Sequence, residues 1–165
     1  MGDLLVKLYE LPLSLEPIAA AAKEGIIIRK PIGPEKRLIS DWILEHFSDA
    51  WASEFEVTMG RLPFTSFIAT ENNELIGFAC YDATGLGLFG PMGVRADRRG
   101  RGVGRALLLA CLMEMKLKGY AYAAIGQAGP VGFYRKCCGA VPIPKSKPSI
   151  WFDMLRRKKP QTAGG

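Results

Sequence analysis

The chain has 165 residues, 48% hydrophobic and 23% charged, which is enough apolar material for one well-buried core and the ordinary size of one domain. No apolar run approaches the roughly 20 residues that cross a bilayer, since even the uncharged stretch 120–134 is interrupted by Gly126, Gln127, Gly129 and Pro130. The formal net charge of +6 invites nucleic-acid binding, but the charge is uneven: Arg95, Arg98, Arg99, Arg101 and Arg105 crowd one glycine-rich segment, and Arg156, Arg157, Lys158 and Lys159 open a polar tail.

The opening residues are apolar without a clear period, and no element is assigned to them. Met1-Gly2-Asp3 lacks the basic flank and apolar run of a secretory signal, and Val6 stands where a myristoylation signal carries Ser or Thr. A cytoplasmic protein is expected. The β-branched segment 25–29 predicts the first strand of the core. Pro34 suits a helix start, and Leu38, Ile39, Trp42, Ile43, His46 and Phe47 recur at helical spacing over 35–47. A second short helix over 50–59 carries Trp51, Glu54, Phe55 and Met59 at spacings of three and four.

Segments 65–70 and 75–81, joined by Glu71-Asn72-Asn73-Glu74, have the signature of a β-hairpin, because asparagine tolerates the positive φ of a tight turn. A third consecutive strand, 86–94, contains Gly90 and Pro91, which a central strand disfavours, so a bulge or an opening in the sheet is expected there. Val103, Leu107, Leu108, Cys111, Leu112 and Met115 mark a helical stripe over 102–118, which Gly119 ends. A buried strand over 120–125, a short helix over 130–137 and two late strands over 140–143 and 150–154 complete the order.

This order predicts a mixed α/β (α+β) domain spanning 1–155, with a disordered, solvated tail over 156–165. Its largely antiparallel sheet has six to seven strands and about four flanking helices. The inner parallel contact joins 86–94 to 120–125 through the long helix as a right-handed crossover. Cys80, Cys111, Cys137 and Cys138 are too irregularly placed for a disulfide framework, and His46 is the only histidine, so reduced thiols and no metal site are expected.

A strand ending at Val94, glycines at 100, 102 and 104, and a helix starting there gather free backbone N–H groups at one point. The helix dipole and those amides favour an anion, glycines admit it without a colliding Cβ, and Arg99, Arg101 and Arg105 add forked contacts to a pyrophosphate. A P-loop would need Gly-Lys-Ser/Thr, which is absent, and a dinucleotide fingerprint would need Gly or Ala where Arg105 or Leu107 stands.

Arg99-x-x-Gly102-x-Gly104 resembles the acyl-CoA signature of the GNAT superfamily of N-acetyltransferases. Gly90-Pro91-Met92-Gly93-Val94-Arg95 is similar to that family's splayed strand, and Gly132-Phe133-Tyr134-Arg135-Lys136-x-x-Gly139-Ala140 to its later tyrosine-bearing helix. The resemblance spans about 66–143. It implies acetyl-CoA as co-substrate, without a metal. It also implies that Met92, Gly93 and Val94 line the pantetheine arm, that Arg99, Gly100, Arg101, Gly102, Val103, Gly104 and Arg105 hold the pyrophosphate, and that Phe133 lies beside the coenzyme. Gln127 stands where many relatives carry asparagine, and the resemblance implies that it substitutes for that residue in binding the coenzyme.

Acyl transfer to an amine needs a base for the amine and an acid for the departing thiolate. The resemblance places Tyr134 as the acid. The strand over 86–94 holds no carboxylate, so the base comes from elsewhere: Glu54 is favoured over Glu56 because it shares a face with Trp51, while His46 on an apolar stripe reads as packed or capping. Trp51 and Phe55, with Trp42 and Glu54, are expected to rim a pocket for a cationic amine. The expected partner is a small-molecule or peptide amine, with neither nucleic acid nor membrane; a homodimer is left open. A non-catalytic acyl-CoA sensor and a nucleic-acid-binding module are the competing readings.

Overall fold

A computed structural model describes residues 2–158 of the chain. Seven strands form one sheet: β1 (Leu4–Lys7), β2 (Ile26–Arg29), β3 (Ser66–Glu71), β4 (Glu74–Tyr81), β5 (Leu88–Val94), β6 (Tyr122–Ile125) and β7 (Val141–Pro142), in the spatial order β2-β3-β4-β5-β6-β1-β7. Five α-helices accompany them: α1 (Glu16–Lys23), α2 (Lys36–His46), α3 (Asp49–Thr58), α4 (Val103–Leu117) and α5 (Val131–Cys138). Every pairing is antiparallel except β5 with β6, which α4 connects. The mixed, largely antiparallel α/β class and its inner parallel pair are as the sequence implies.

The hairpin follows its turn chemistry. Asn72 and Asn73 both take positive φ, 51° and 62°, and close a two-residue loop between Glu71 and Glu74. On one face of the sheet α4 buries eight residues, Leu107, Leu108 and Leu112 among them, against β3, β4 and β5. Each of those leucines contributes roughly 1.5–3 kcal/mol of burial. On the opposite face Ile39 and Ile43 of α2 and Phe55 of α3 pack over Ile68, Phe78 and Cys80. Strand β4 is buried on both sides, so its run Leu75 to Tyr81 is apolar without alternation.

Two expectations need correction. The first strand is Leu4–Lys7, not 25–29: Leu4 and Val6 are buried at 2% and 0% exposure and face the core, while β1 fills the slot between β6 and β7. Helix α1 joins the four helices expected along the chain. Residues 150–154 form no strand; a 3-10 turn spans Ser149–Trp151 and irregular chain follows. Because β1 already pairs with both β6 and β7, the interior of the sheet has no place left for a late strand. Part of the tail, residues 159–165, lies outside the described residues.

Candidate active site

The site begins where the two parallel strands part. β5 and β6 pair only at Leu88 with Ala124 and Phe89 with Ile125; from Gly90 onward β5 has no neighbour on that side. Opposite β4 the register slips, with Ala79 facing Met92 but Tyr81 facing Phe89, so Gly90 and Pro91 supply the extra residue of a bulge. Gly90 reaches φ 117°, which a Cβ would disfavour.

Strand parity then decides which backbone groups face the opening. Arg95 N–H donates to Ile76 O at 2.8 Å, so Arg95 and Gly93 turn their peptide groups toward β4, while Met92 and Val94 turn theirs toward the gap. Gly93 therefore has a different part from the one expected. Its backbone is committed to β4, and a Cβ on it would come within 2.4 Å of the Phe47 ring. It is glycine so that α2 can close on the sheet.

The loop after β5 ends in the left-handed residues Gly100 (φ 78°) and Gly102 (φ 79°), and Gly102 caps α4 by accepting the Ala106 N–H at 3.0 Å. No atom would lie within 4 Å of a Cβ at Gly100 or Gly102, so the first amides of α4 open onto free space. Gly104 lies inside the helix, where a Cβ would stand 3.7 Å from Phe133 and 3.8 Å from Val94. Val103 is 2% exposed and offers only its backbone.

The arginines are already partly engaged. Glu71 in the hairpin accepts from Arg98 Nε at 2.6 Å and from Arg101 at 2.8 Å, and these two guanidiniums, Arg101 foremost, hold its carboxyl below the usual range. Arg105 meets Glu16 at 3.3 Å, and Arg95 meets Asp97 and Glu74. Arg99 Nε donates to Val94 O at 3.1 Å. Arg101 thus staples the loop to the hairpin and does not point alone at the helix start. The basic cluster that invited nucleic acid is paired within the chain at four of its five arginines, Arg95, Arg98, Arg101 and Arg105.

Beside the parted strands lies a cavity of about 590 Å³, bounded by Met92 and Pro91 of β5, Glu54 and Trp51 of α3, Tyr134 of α5 and Trp151. Local sequence places each wall. Ser48 caps α3 by accepting the Trp51 N–H at 3.2 Å, which aims Trp51 and Glu54 at the opening. At 3.6 residues per turn, Phe55 falls on the far side of Trp51 from Glu54. It is 0% exposed and packs edge-on against Phe78, so it belongs to the core and not to the pocket wall. Pro130 precedes α5, and Gly139, at φ 65°, ends it by donating to Arg135 O at 3.0 Å.

Glu54 and Tyr134 have shifted acidities. Burial raises the Glu54 carboxyl above its ordinary value, opposed by a 2.6 Å hydrogen bond donated by Thr84 Oγ1. Burial pushes the Tyr134 phenol up to about 12, with Cys138 and Cys137 adding to the rise. Its ring stands edge-on to Phe89 and Phe133, and among the described residues no hydrogen-bond partner meets its hydroxyl. Gln127 reaches the cavity, but its side-chain amide donates to Pro148 O at 2.9 Å. His46 is outside, stacked on Trp42 with Nδ1 at 3.0 Å from Trp42 O, and Glu56 accepts from Ser40 at 2.7 Å.

Thr84, Trp151 and Met154 line the cavity without having been singled out from the sequence. Trp151 and Met154 carry a signal, an aromatic and a thioether in an apolar run, but a run of that composition has the pattern of a strand. Thr84 carries none. Among the described residues no group of His, Cys, Asp and Glu is placed to hold a metal, and no helix is long and apolar enough to cross a membrane.

Comparison with known proteins places this geometry. A solved structure from a fungal multi-domain GH3 β-N-acetylglucosaminidase, described as a GCN5-related glucosamine N-acetyltransferase region, aligns over 86% of this chain and 19% of that one with TM-score 0.69 and 16% identity. A GCN5-related N-acetyltransferase from Sphaerobacter thermophilus aligns over 86% and 48% (TM-score 0.63, 22% identity), and one from Kribbella flavida over 86% and 53% (TM-score 0.55, 16% identity). The chain thus spans about half or less of those proteins, and at such identities the likeness is one of fold. No curated protein sequence matches the chain. Residues 36–140, well over half of the chain, match the family model described as the acetyltransferase (GNAT) family. The match takes in the bulged strand, the glycine loop and the tyrosine helix alike, and the chain belongs to the GNAT family of acetyltransferases.

Proposed function

We propose that the protein transfers the acetyl group of acetyl-CoA to a primary amine of a small molecule or peptide, in the cytoplasm, where its four free thiols stay reduced. The observation that carries this reading is the parting of β5 and β6 after Phe89, beside a cavity bounded by both Glu54 and Tyr134, on the strand whose following loop leads into the glycine-lined start of α4. In this reading Met92 and Val94 offer backbone groups to the pantetheine arm as an added strand would. The amides of residues 102–105, with Arg99, receive the pyrophosphate.

An alkylamine of pKa near 10.4 is neutral in only about one molecule in two thousand at pH 7, a deficit of roughly 4–5 kcal/mol. Glu54, made more basic by burial, takes the proton from the incoming ammonium. The neutral nitrogen attacks the thioester carbon, the C–S bond breaks, and a proton must reach the sulfur. Full donation by a phenol of pKa about 12 to a thiolate of pKa ~8.5 would run uphill by roughly 5 kcal/mol. Tyr134 therefore acts as a relay: its hydroxyl donates to sulfur as it accepts the proton that the newly bonded nitrogen sheds. Overall one acetyl moves from S to N, one proton moves from N to S, and the other proton of the ammonium, taken by Glu54, is released to solvent.

The test is thiol release from acetyl-CoA across amines, amino acids and peptides, with Tyr134→Phe as control. Release that requires an amine and falls with the variant supports the reading; no release above the uncatalysed rate with any acceptor contradicts it.

A further inference from the structure

Residues 143–154 cross the end of the sheet as a strap, and one side chain holds the strap down. Asp3 Oδ2 accepts from Ser149 Oγ at 2.7 Å, its Oδ1 accepts the Gln127 N–H at 2.9 Å, and its own N–H donates to Ser146 Oγ at 2.7 Å. Gln127 Nε2 adds a bond to Pro148 O at 2.9 Å. Ser149 and Gln127, the two residues gripped by the carboxylate, both have left-handed backbone, φ 69° and 42°. Side chains other than glycine adopt that conformation only when their surroundings fix it.

The strap carries Trp151 onto Gly126, where a Cβ would stand 2.4 Å from the indole. Trp151 thereby becomes a shared wall of the main cavity and of a second one of about 350 Å³. The two cavities have Glu54, Thr84, Trp151 and Met154 in common, so Glu54 stands at their junction. The second is bounded otherwise by Ala83, Ile150 and Asp153. Its charged groups, among the described residues, are two carboxylates, and its one hydroxyl, that of Thr84, is spent on Glu54.

We infer that the second cavity is the acceptor's entry, that Trp151 determines which amine passes, that Asp3 is the residue positioning it, and that the amine admitted has a slender apolar body and no anionic group. The inference rests on the acetyltransferase reading. Two carboxylates at the walls attract an ammonium and repel the carboxylate of a free amino acid. Alanine, isoleucine, tryptophan and methionine surfaces match an alkyl or aryl chain, and leave the hydroxyls of a sugar without partners.

Steady-state kinetics of the full chain with hexylamine, 2-phenylethylamine, phenylalanine and glucosamine test it, with coenzyme A titrated into each protein by calorimetry. Both slender amines are expected to exceed phenylalanine and glucosamine in kcat/KM by at least about tenfold. Trp151→Ala should raise the hexylamine KM about tenfold while the KM for acetyl-CoA stays within about twofold. Asp3→Ala and Ser149→Ala should move the amine KM in the same direction. Should Trp151→Ala fail to fold, Ser149→Ala, which loses a single hydroxyl, decides. An unchanged amine KM in the folded variants, a preference for phenylalanine or glucosamine, or coenzyme binding without turnover of either slender amine overturns the inference alone. Absence of coenzyme binding by the wild-type protein overturns the acetyltransferase reading beneath it.

Discussion

The hydroxyl of Thr84 lies 2.6 Å from Glu54 Oε1 and ties the loop after β4 to helix α3 where the two cavities meet. Burial and this bond pull the carboxyl in opposite directions: burial disfavours the charged form and raises its pKa, and the donated hydrogen bond favours it. Thr84→Val leaves burial unopposed. A base works only when ionised, so activity falls as pH drops through its pKa, and a higher pKa moves that fall upward. The acid limb of kcat/KM is therefore expected at higher pH in Thr84→Val than in the wild type. Glu54→Gln should remove the limb and lower kcat about 10²- to 10⁴-fold. A limb that stays in place in both variants assigns the base elsewhere.

Tyr134→Phe keeps the ring between Phe89 and Phe133 and deletes only the hydroxyl. A fall in kcat of about 10²- to 10⁴-fold, with acetyl-CoA affinity within about threefold, is expected from steady-state and binding measurements. With its pKa pushed up to about 12, this phenol should give the wild-type enzyme no alkaline limb through the ordinary assay range. An unaltered kcat removes Tyr134 from the proton path.

Gly93→Ala puts a methyl group 2.4 Å from the Phe47 ring, which Trp42, Trp51 and Phe78 hold from other sides. Overpacking of this kind costs about 1–3 kcal/mol. Urea unfolding should show a lower midpoint at unchanged slope. A midpoint equal to the wild type would mean that α2 can shift away from the sheet without loss.

What the sequence made legible is what depends on neighbours along the chain. Asn72-Asn73 announces its turn, Gly102 and Gly104 announce a helix start open to an anion, and Gly90-Pro91 announces the bulge at which β5 leaves β6. What stayed hidden depends on distant partners. Leu4-Leu5-Val6-Lys7 is too short for its alternation to stand out, and its place between β6 and β7 is set by residues more than a hundred positions later. Arg101 reads as a phosphate ligand until Glu71, thirty residues earlier, is found 2.8 Å away. Ile150, Trp151 and Met154 have the composition of a strand, yet they serve as cavity wall because β1 has already filled the sheet.

That pairing leads to a further expectation. Exposed ion pairs contribute about 0–1 kcal/mol, so Arg101→Ala should change stability little and weaken acetyl-CoA binding by no more than about threefold. A loss beyond about thirtyfold would mean that Arg101 leaves Glu71 to grip the pyrophosphate itself.

The start of α4 is the most direct place to test the whole account. Isothermal titration of coenzyme A into the wild-type protein and into Gly102→Ala, whose Cβ would meet no protein atom within 4 Å but would occupy the approach to the helix amides, is read beside the thermal unfolding of both proteins, because alanine at φ 79° strains the loop. Saturable one-to-one binding that weakens at least about tenfold in the variant, with a thermal midpoint lowered by about 2–8 °C through roughly 1–2 kcal/mol of backbone strain and a variant still folded at the titration temperature, is the expected result. No heat of binding with the wild-type protein at modest ionic strength, or equal affinity in the two, would contradict it.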